Sequence, residues 1–187
     1  MPFRLSGTTN AGKTVIANLG KKTVKTTAGK DGKWQMEFPA MKADKKQYIL
    51  TVESDGKKMT FENIVVGEVW LCSGQSNMAF MVKETSHAKE SLSDLSKDIR
   101  LYNMKPRVYT DNIEWSKEDL ECINRHNYYI STEWEVQNEK NVADFSAVAY
   151  HFGKMLADSL DVPVGLICNA IGGAPAEAFI DRKTLEW

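Results

Sequence analysis

The sequence is short of the residue types that most often organise a metal site or a disulfide-stapled fold. It has three cysteines and three histidines in 187 residues. Cys72, Cys122 and Cys168 are an odd number and lie far apart, with no Cys-x-x-Cys pair and no Cys/His cluster. A disulfide framework, a structural zinc site and a bound cofactor are therefore not expected. No apolar run is long enough to span a bilayer, so no membrane partner is expected. There is no charged segment followed by an apolar one at the start, so a secretion signal has been removed or never existed. A formal net charge of −1 argues against nucleic acid as a partner. What remains is ordinary for a globular chain with a real core, at 42% apolar and 26% charged residues.

The near-neutral total hides an asymmetry. Residues 1–66 carry 12 basic against 6 acidic side chains, and residues 67–187 carry 12 against 19. The texture changes at the same place, which predicts two domains, 1–66 and 67–187. The first reads as short strands over Thr14–Leu19, 23–28, Lys33–Phe38, 47–53 and 59–66. Trp34, Met36 and Phe38 alternate with Lys33, Gln35 and Glu37, giving a dry and a wet face. Asp31-Gly32 and Asp55-Gly56 suit tight hairpins, and the whole predicts a small antiparallel β-sandwich.

The second region alternates differently. It predicts a strand over 66–71, a helix over 86–97 touching the core through Leu92 and Leu95, and a strand over 99–104. A helix capped by Asp144 or Ser146 runs to Leu160, with Ala149, Phe152, Met155 and Leu156 inward, and a third strand covers 164–170. Residues 105–140 are polar, aromatic and without a period. Strand and helix in alternation predict an α/β domain with a parallel sheet of buried strands.

The informative stretch is Gly67-Glu68-Val69-Trp70-Leu71-Cys72-Ser73-Gly74-Gln75-Ser76-Asn77-Met78. A buried strand there delivers the chain to a small polar turn at the carboxyl edge of the sheet, where open α/β folds bind ligands. A serine at such a turn is exposed and suits a nucleophile whose attack creates an oxyanion. The second glycine of a Gly-x-Ser-x-Gly elbow is missing, so the α/β-hydrolase fold is not indicated. On its residues alone the plainer reading prevails, because serines in such turns are mostly caps.

The same run closely resembles the nucleophile block of the sialate O-acetylesterase family, a branch of the SGNH hydrolases. Residues 98–102 (DIRLY), 145–153 (FSAVAYHFG) and 162–179 (VPVGLICNAIGGAPAEAF) resemble further blocks of that family, in its order. The resemblance implies an α/β fold in which a small N-terminal antiparallel β-sandwich precedes the first part of an SGNH-like parallel-sheet domain. It implies a serine-dependent, cofactor-free carbohydrate O-acetylesterase acting on O-acetylated sialic acid or another acetylated sugar, outside the cytoplasm. Ser76 matches the nucleophile, and its amide one oxyanion donor. Gly173, or else Gly172, matches the glycine that supplies a second donor. Asn77 matches a residue that supports the turn, and Gln75 stands where related hydrolases often carry Asp. Glu177 is either a group at the substrate's edge or a surface glutamate at a helix start. Ala174 and Phe179 depart from the Thr or Ser and the Trp that many relatives carry.

The family's base is a histidine in an Asp-x-x-His block, and this chain contains no such block; a further oxyanion donor is also lacking. His87, His126 and His151 lack the aspartate three residues before them, and His151 is expected to pack. The sequence therefore predicts a fragment or a truncated gene product, inactive alone, its three-stranded sheet leaving an edge to be covered by an oligomer or by further chain. The competing reading is a non-catalytic carbohydrate-binding or scaffold module, with Trp34 and Tyr48 as stacking platforms.

Overall fold

The computed structural model describes residues 2–109 and 114–186. The chain divides into two compact units, Met1–Gly67 and Glu68–Trp187.

The first unit holds β1 (Phe3–Thr8), β2 (Thr14–Leu19), β3 (Lys22–Thr27), β4 (Lys33–Phe38), β5 (Asp44–Ser54) and β6 (Lys57–Val66). Four of them form an antiparallel sheet in the order β3-β2-β5-β6, and β1 pairs antiparallel with β4. Val15, Ala17 and Leu19 of β2, Leu50 of β5, and Met36 and Phe38 of β4 close one core from both sheets. Phe3 stacks on Phe38 at 4.8 Å, which fixes β1 against the unit although its sequence, broken by Ser6 and Gly7, gives no strong strand signal. Asp55 and Gly56 both take positive φ, the hairpin geometry their sequence suits, and join β5 to β6. Asp31-Gly32 does not make a hairpin: it leads into β4, which lies in a different sheet from β3.

Trp34 is not a free platform. A Cβ at Gly7 would lie 2.6 Å from its ring, so the indole lies against the β1 backbone with its edge in the core. Tyr48 also packs on the core and donates its hydroxyl to Asp44 at 2.8 Å. The stacking surface expected of these two rings is thus largely spent on packing.

The second unit begins with β7 (Glu68–Gly74) and α1 (Ser76–Ala79), followed by a 3₁₀ turn, α2 (Ala88–Ser93) and β8 (Ile99–Asn103). Then come α3 (Lys117–Asn124), β9 (Glu135–Val136), α4 (Glu139–Ala143), α5 (Ala147–Leu160), β10 (Val164–Ala170), a second 3₁₀ turn and α6 (Arg182–Leu185). The sheet order is β7-β10-β8-β9. β10 runs parallel to both neighbours, and β9 adds a short antiparallel edge to β8.

The aperiodic stretch 105–140 contains one capped helix, α3, and the cap and first residues of a second, α4. Ser116 accepts from the Asp119 amide, and Asn138 and Asn141 form a reciprocal cap. Ser146 caps α5 through the Ala149 amide at 3.1 Å. α2 is shorter than its pattern suggests, and the Ser93 hydroxyl bonds back to the Glu90 carbonyl near its end.

The inward face of α5 meets the expectation at Ala149 and Leu156, which pack on the core, and departs from it at Phe152 and Met155. Ala149, Tyr150, Gly153 and Ala157 are buried, whereas Phe152 is 40% and Met155 71% exposed. The reason is distance. A Cβ at Gly153 would stand 2.5 Å from a Leu166 methyl, so α5 lies close on β10 and only small residues at four-residue intervals fit between them. Among the described residues no helix is long and apolar enough to cross a membrane.

Candidate active site

β7 and β10 run side by side in register to their last residues, Gly74 opposite Ala170. Parallel pairing brings both strand ends to one carboxyl edge, and the chain turns there in both places. After β7 come Gln75 and the single turn of α1; after β10 come Ile171, Gly172 and Gly173. Two contacts tie these turns together: the Ile171 amide donates to the Gly74 carbonyl at 3.1 Å, and the Gln75 side-chain amide donates to the Ala174 carbonyl.

Ser76 is exposed at the first position of α1. A Cβ at Gly172 would come to 3.9 Å from both Cα and Cβ of Ser76, so the backbone at Gly172 passes beside the serine. Gly173 takes φ +80°, where an L side chain is strained. Gly74 is required for a different reason. A Cβ there would lie 2.9 Å from the Met78 Cβ, because α1 folds back on the strand it follows.

The turn sits on a firm base. Met78 packs on the core, the Ser146 hydroxyl meets its sulfur at 3.4 Å, and the Ala147 amide donates to the Phe80 carbonyl at 2.8 Å. α1 is too short to carry a large dipole. What it offers is amides: its first internal bond is Ala79 to Gln75 at 2.8 Å, leaving the N–H groups of Ser76, Asn77 and Met78 without a partner inside the helix.

The other expected residues fall as follows. Asn77 is exposed on α1. Glu177 is exposed on a 3₁₀ turn, Ala176–Phe179, rather than opening an α-helix. Among the described residues no hydrogen bond joins Ser76 to a histidine. His87 pairs with Glu90 at 2.8 Å, and His151, exposed on α5 rather than packed, reaches Ser91 at 3.4 Å. His126 ends α3 in a left-handed turn.

Cys72 and Cys168 sit opposite each other in β7 and β10, buried and unbonded. Burial raises both thiols, Cys168 to about 11, so neither supplies a thiolate near neutral pH. Sequence reasoning missed Tyr129, whose hydroxyl donates to Asn169 at 2.6 Å and holds the 128–130 segment against the end of β10. It also missed a polar cavity of about 250 Å³ bordered by Asn103, Lys105, Asn138, Lys140 and Asp144. That cavity opens by the end of β8, two strands from β7, about 10 Å across the sheet at ordinary strand spacing.

No family model matches the chain. It is 28% identical over 192 residues to a sialate O-acetylesterase of Rattus norvegicus, covering 96% of this chain and 34% of that protein. It is 29% identical over 194 residues to a sialate O-acetylesterase of Homo sapiens, covering 96% and 35%. The crystal structure of a carbohydrate acetylesterase from Xanthomonas citri superposes with a TM-score of 0.82 at 25% identity, over 98% of this chain and 40% of that one. The resemblance to sialate O-acetylesterases thus extends over nearly the whole chain. The chain spans about a third of the length of the curated relatives it matches.

Proposed function

We propose, from this kinship with carbohydrate acetylesterases, that the chain is the nucleophile-bearing part of an SGNH-type serine O-acetylesterase. The observation that carries the reading is the placement of an exposed Ser76 beside the Gly172 backbone at the shared carboxyl end of two parallel strands. Ser76 Oγ attacks the acetyl carbonyl and yields its proton to a base. The carbonyl oxygen becomes an oxyanion held by the Ser76 and Gly173 amides. Collapse of the tetrahedral species breaks the bond to the sugar oxygen, which takes the proton back. Water then releases acetate from the acyl-serine by the same steps.

Gln75 keeps the two turns together by bonding to Ala174, Asn77 supports the turn, and Glu177 borders the substrate. The base, a histidine, and a further oxyanion donor come from protein outside these 187 residues, so this chain alone is inactive. The substrate class is O-acetylated sialic acid or another acetylated carbohydrate, met outside the cytoplasm. Residues 1–66 form an accessory β-domain and 67–187 the front of the esterase domain.

The test is acetate release from an O-acetylated sugar by the longer protein that includes the base. Ser76→Ala is expected to lower turnover by at least about 10³-fold. Unchanged acetate release by that variant would leave only a binding or scaffold role for this chain.

A further inference from the structure

The polar cavity at the end of β8 is lined by residues with no part in the acetyl transfer, and its walls share one chemistry. Leu101 and Phe145, both in the core, border its apolar side. The Ile130 amide donates to the Lys105 carbonyl at 3.0 Å and Pro106 bridges Tyr129, so the chain after Tyr129 runs back along the end of β8 and adds Thr132 to the wall. The acidic groups there are already engaged. Lys83 holds the Asp144 carboxylate at 2.7 Å, and the Asn141 side-chain amide donates to Glu135 at 2.8 Å.

What is left over is donors. Among the described residues the ammonium groups of Lys105 and Lys140, the side-chain NH2 of Asn138 and the Thr132 hydroxyl have neither a hydrogen-bond nor an ion-pair partner. The contact with Lys83, and then the charges of Lys105 and Lys140, hold Asp144 below the usual carboxylate range, so both ammonium groups act around one point. Three cations thus face two carboxylates, and the surplus charge is positive. Both lysines are exposed as well as lining the cavity, so a ligand reaches them from solvent. A planar anion with two acceptor oxygens suits this set, because donors make stronger hydrogen bonds to a charged acceptor.

The cavity is joined to the nucleophile turn. Asp144 and Phe145 border it, the next residue, Ser146, reaches the Met78 sulfur at 3.4 Å and bridges Met81, and Met78 lies in the single turn of helix that Ser76 opens. We infer that the cavity is a subsite for the carboxylate of an acidic sugar whose acetyl ester lies at Ser76. Lys105 and Lys140 hold the carboxylate oxygens, and Asn138 and Thr132 donate to the same group or to a neighbouring hydroxyl. The cavity lies about 10 Å across the sheet from the end of β7, a span that a sugar with its substituents covers. Holding the far end of a substrate orients its ester for attack. A free inorganic anion would give no such orientation, so the sugar's own carboxylate is the occupant. The inference rests on the proposed function and deepens it, by adding a negative charge to the acetylated carbohydrate that is taken.

The test titrates this chain, isotopically labelled for NMR, with glucuronate and with sialic acid, each beside its methyl ester, which keeps the sugar and removes the charge. The side-chain amide signals of Asn103, Asn138 and Asn141 report on the cavity. None of these ligands carries an O-acetyl group and none is cleaved, so failure of the esterase reading is scored apart. The expected result is that at least one of the acids shifts those signals and its methyl ester does not. The paired substitution Lys105→Gln and Lys140→Gln weakens that binding at least about tenfold, while unchanged backbone signals in α5 and β10 show that the variant is folded. Absence of binding by both acids overturns the inference. So does equal binding of acid and ester, or an affinity indifferent to the paired substitution. Inorganic phosphate bound as tightly as either acid overturns it too, since that marks a site for simple anions.

Discussion

Cys168 is held at the centre of the sheet, 5% exposed and level with Cys72 on the next strand. Burial lifts its thiol from an ordinary 9.0 to about 11. An unfolded thiol loses its proton near pH 9, whereas the folded one keeps it, so alkaline conditions favour the unfolded chain. The stability tied to this group is intact below pH 9 and is lost as pH rises toward 11, on the order of 2 kcal/mol in total. Urea titrations from pH 8 to 11 are expected to show a steeper loss for the natural chain than for Cys168→Ala. Parallel profiles would mean that the thiol ionises in the folded state. At this scale the sequence exposes residue types better than their duties. Ser76 stands out because it follows an apolar run and a glycine; the run reads as a buried strand, but β7 is exposed at Val69, Trp70 and Leu71 because it lies at the edge of the sheet. That Gly172 lies beside Ser76 depends on a turn after β10 that no periodicity encodes. Trp34 fell on the dry face of its strand, where it packs on the core, but the strand pattern does not show what its ring lies against, here Gly7.

Elements were legible where one rule governed them. β2 and β4 follow the two-residue period of a half-buried sheet, and α5 begins at Ser146, whose hydroxyl accepts from the Ala149 amide. The facing of α5 was legible in part: Ala149 and Leu156 pack inward as expected, but hydrophobicity also favours Phe152 and Met155, whereas the side against β10 takes the small residues Ala149, Gly153 and Ala157. Gly153→Val is therefore expected to destabilise the chain by about 1–3 kcal/mol through overpacking against Leu166, read as a lower urea midpoint. Met155→Ala, at an exposed site, should change it by less than about 0.5 kcal/mol. The reverse ranking would mean that α5 is rotated. In 105–140 the caps Ser116 and Asn138 were the available signals for α3 and α4, obscured because neither helix has an apolar stripe long enough to register as a period.

For the whole molecule, the step in charge near residue 66 coincides with the division into two units. The strand-helix alternation of 67–187 foretold the parallel pairings of β10, but not that β7 stands outermost, because strand order is set by long-range packing. A reacting serine with no base and one oxyanion donor short loses several powers of ten in rate. This chain alone is accordingly expected to hydrolyse p-nitrophenyl acetate no faster than its Ser76→Ala variant. A Ser76-dependent rate would transfer the base to one of its own histidines.

The most direct measurement of the central claim is covalent capture. A protein that contains this chain together with the histidine that the proposed function calls for is treated with a fluorophosphonate, digested, and its modified peptide sequenced by mass spectrometry. The account predicts one phosphonylated residue, Ser76, and no labelling once it is alanine. An adduct on another residue, with Ser76 unmodified and acetate release intact, would contradict it.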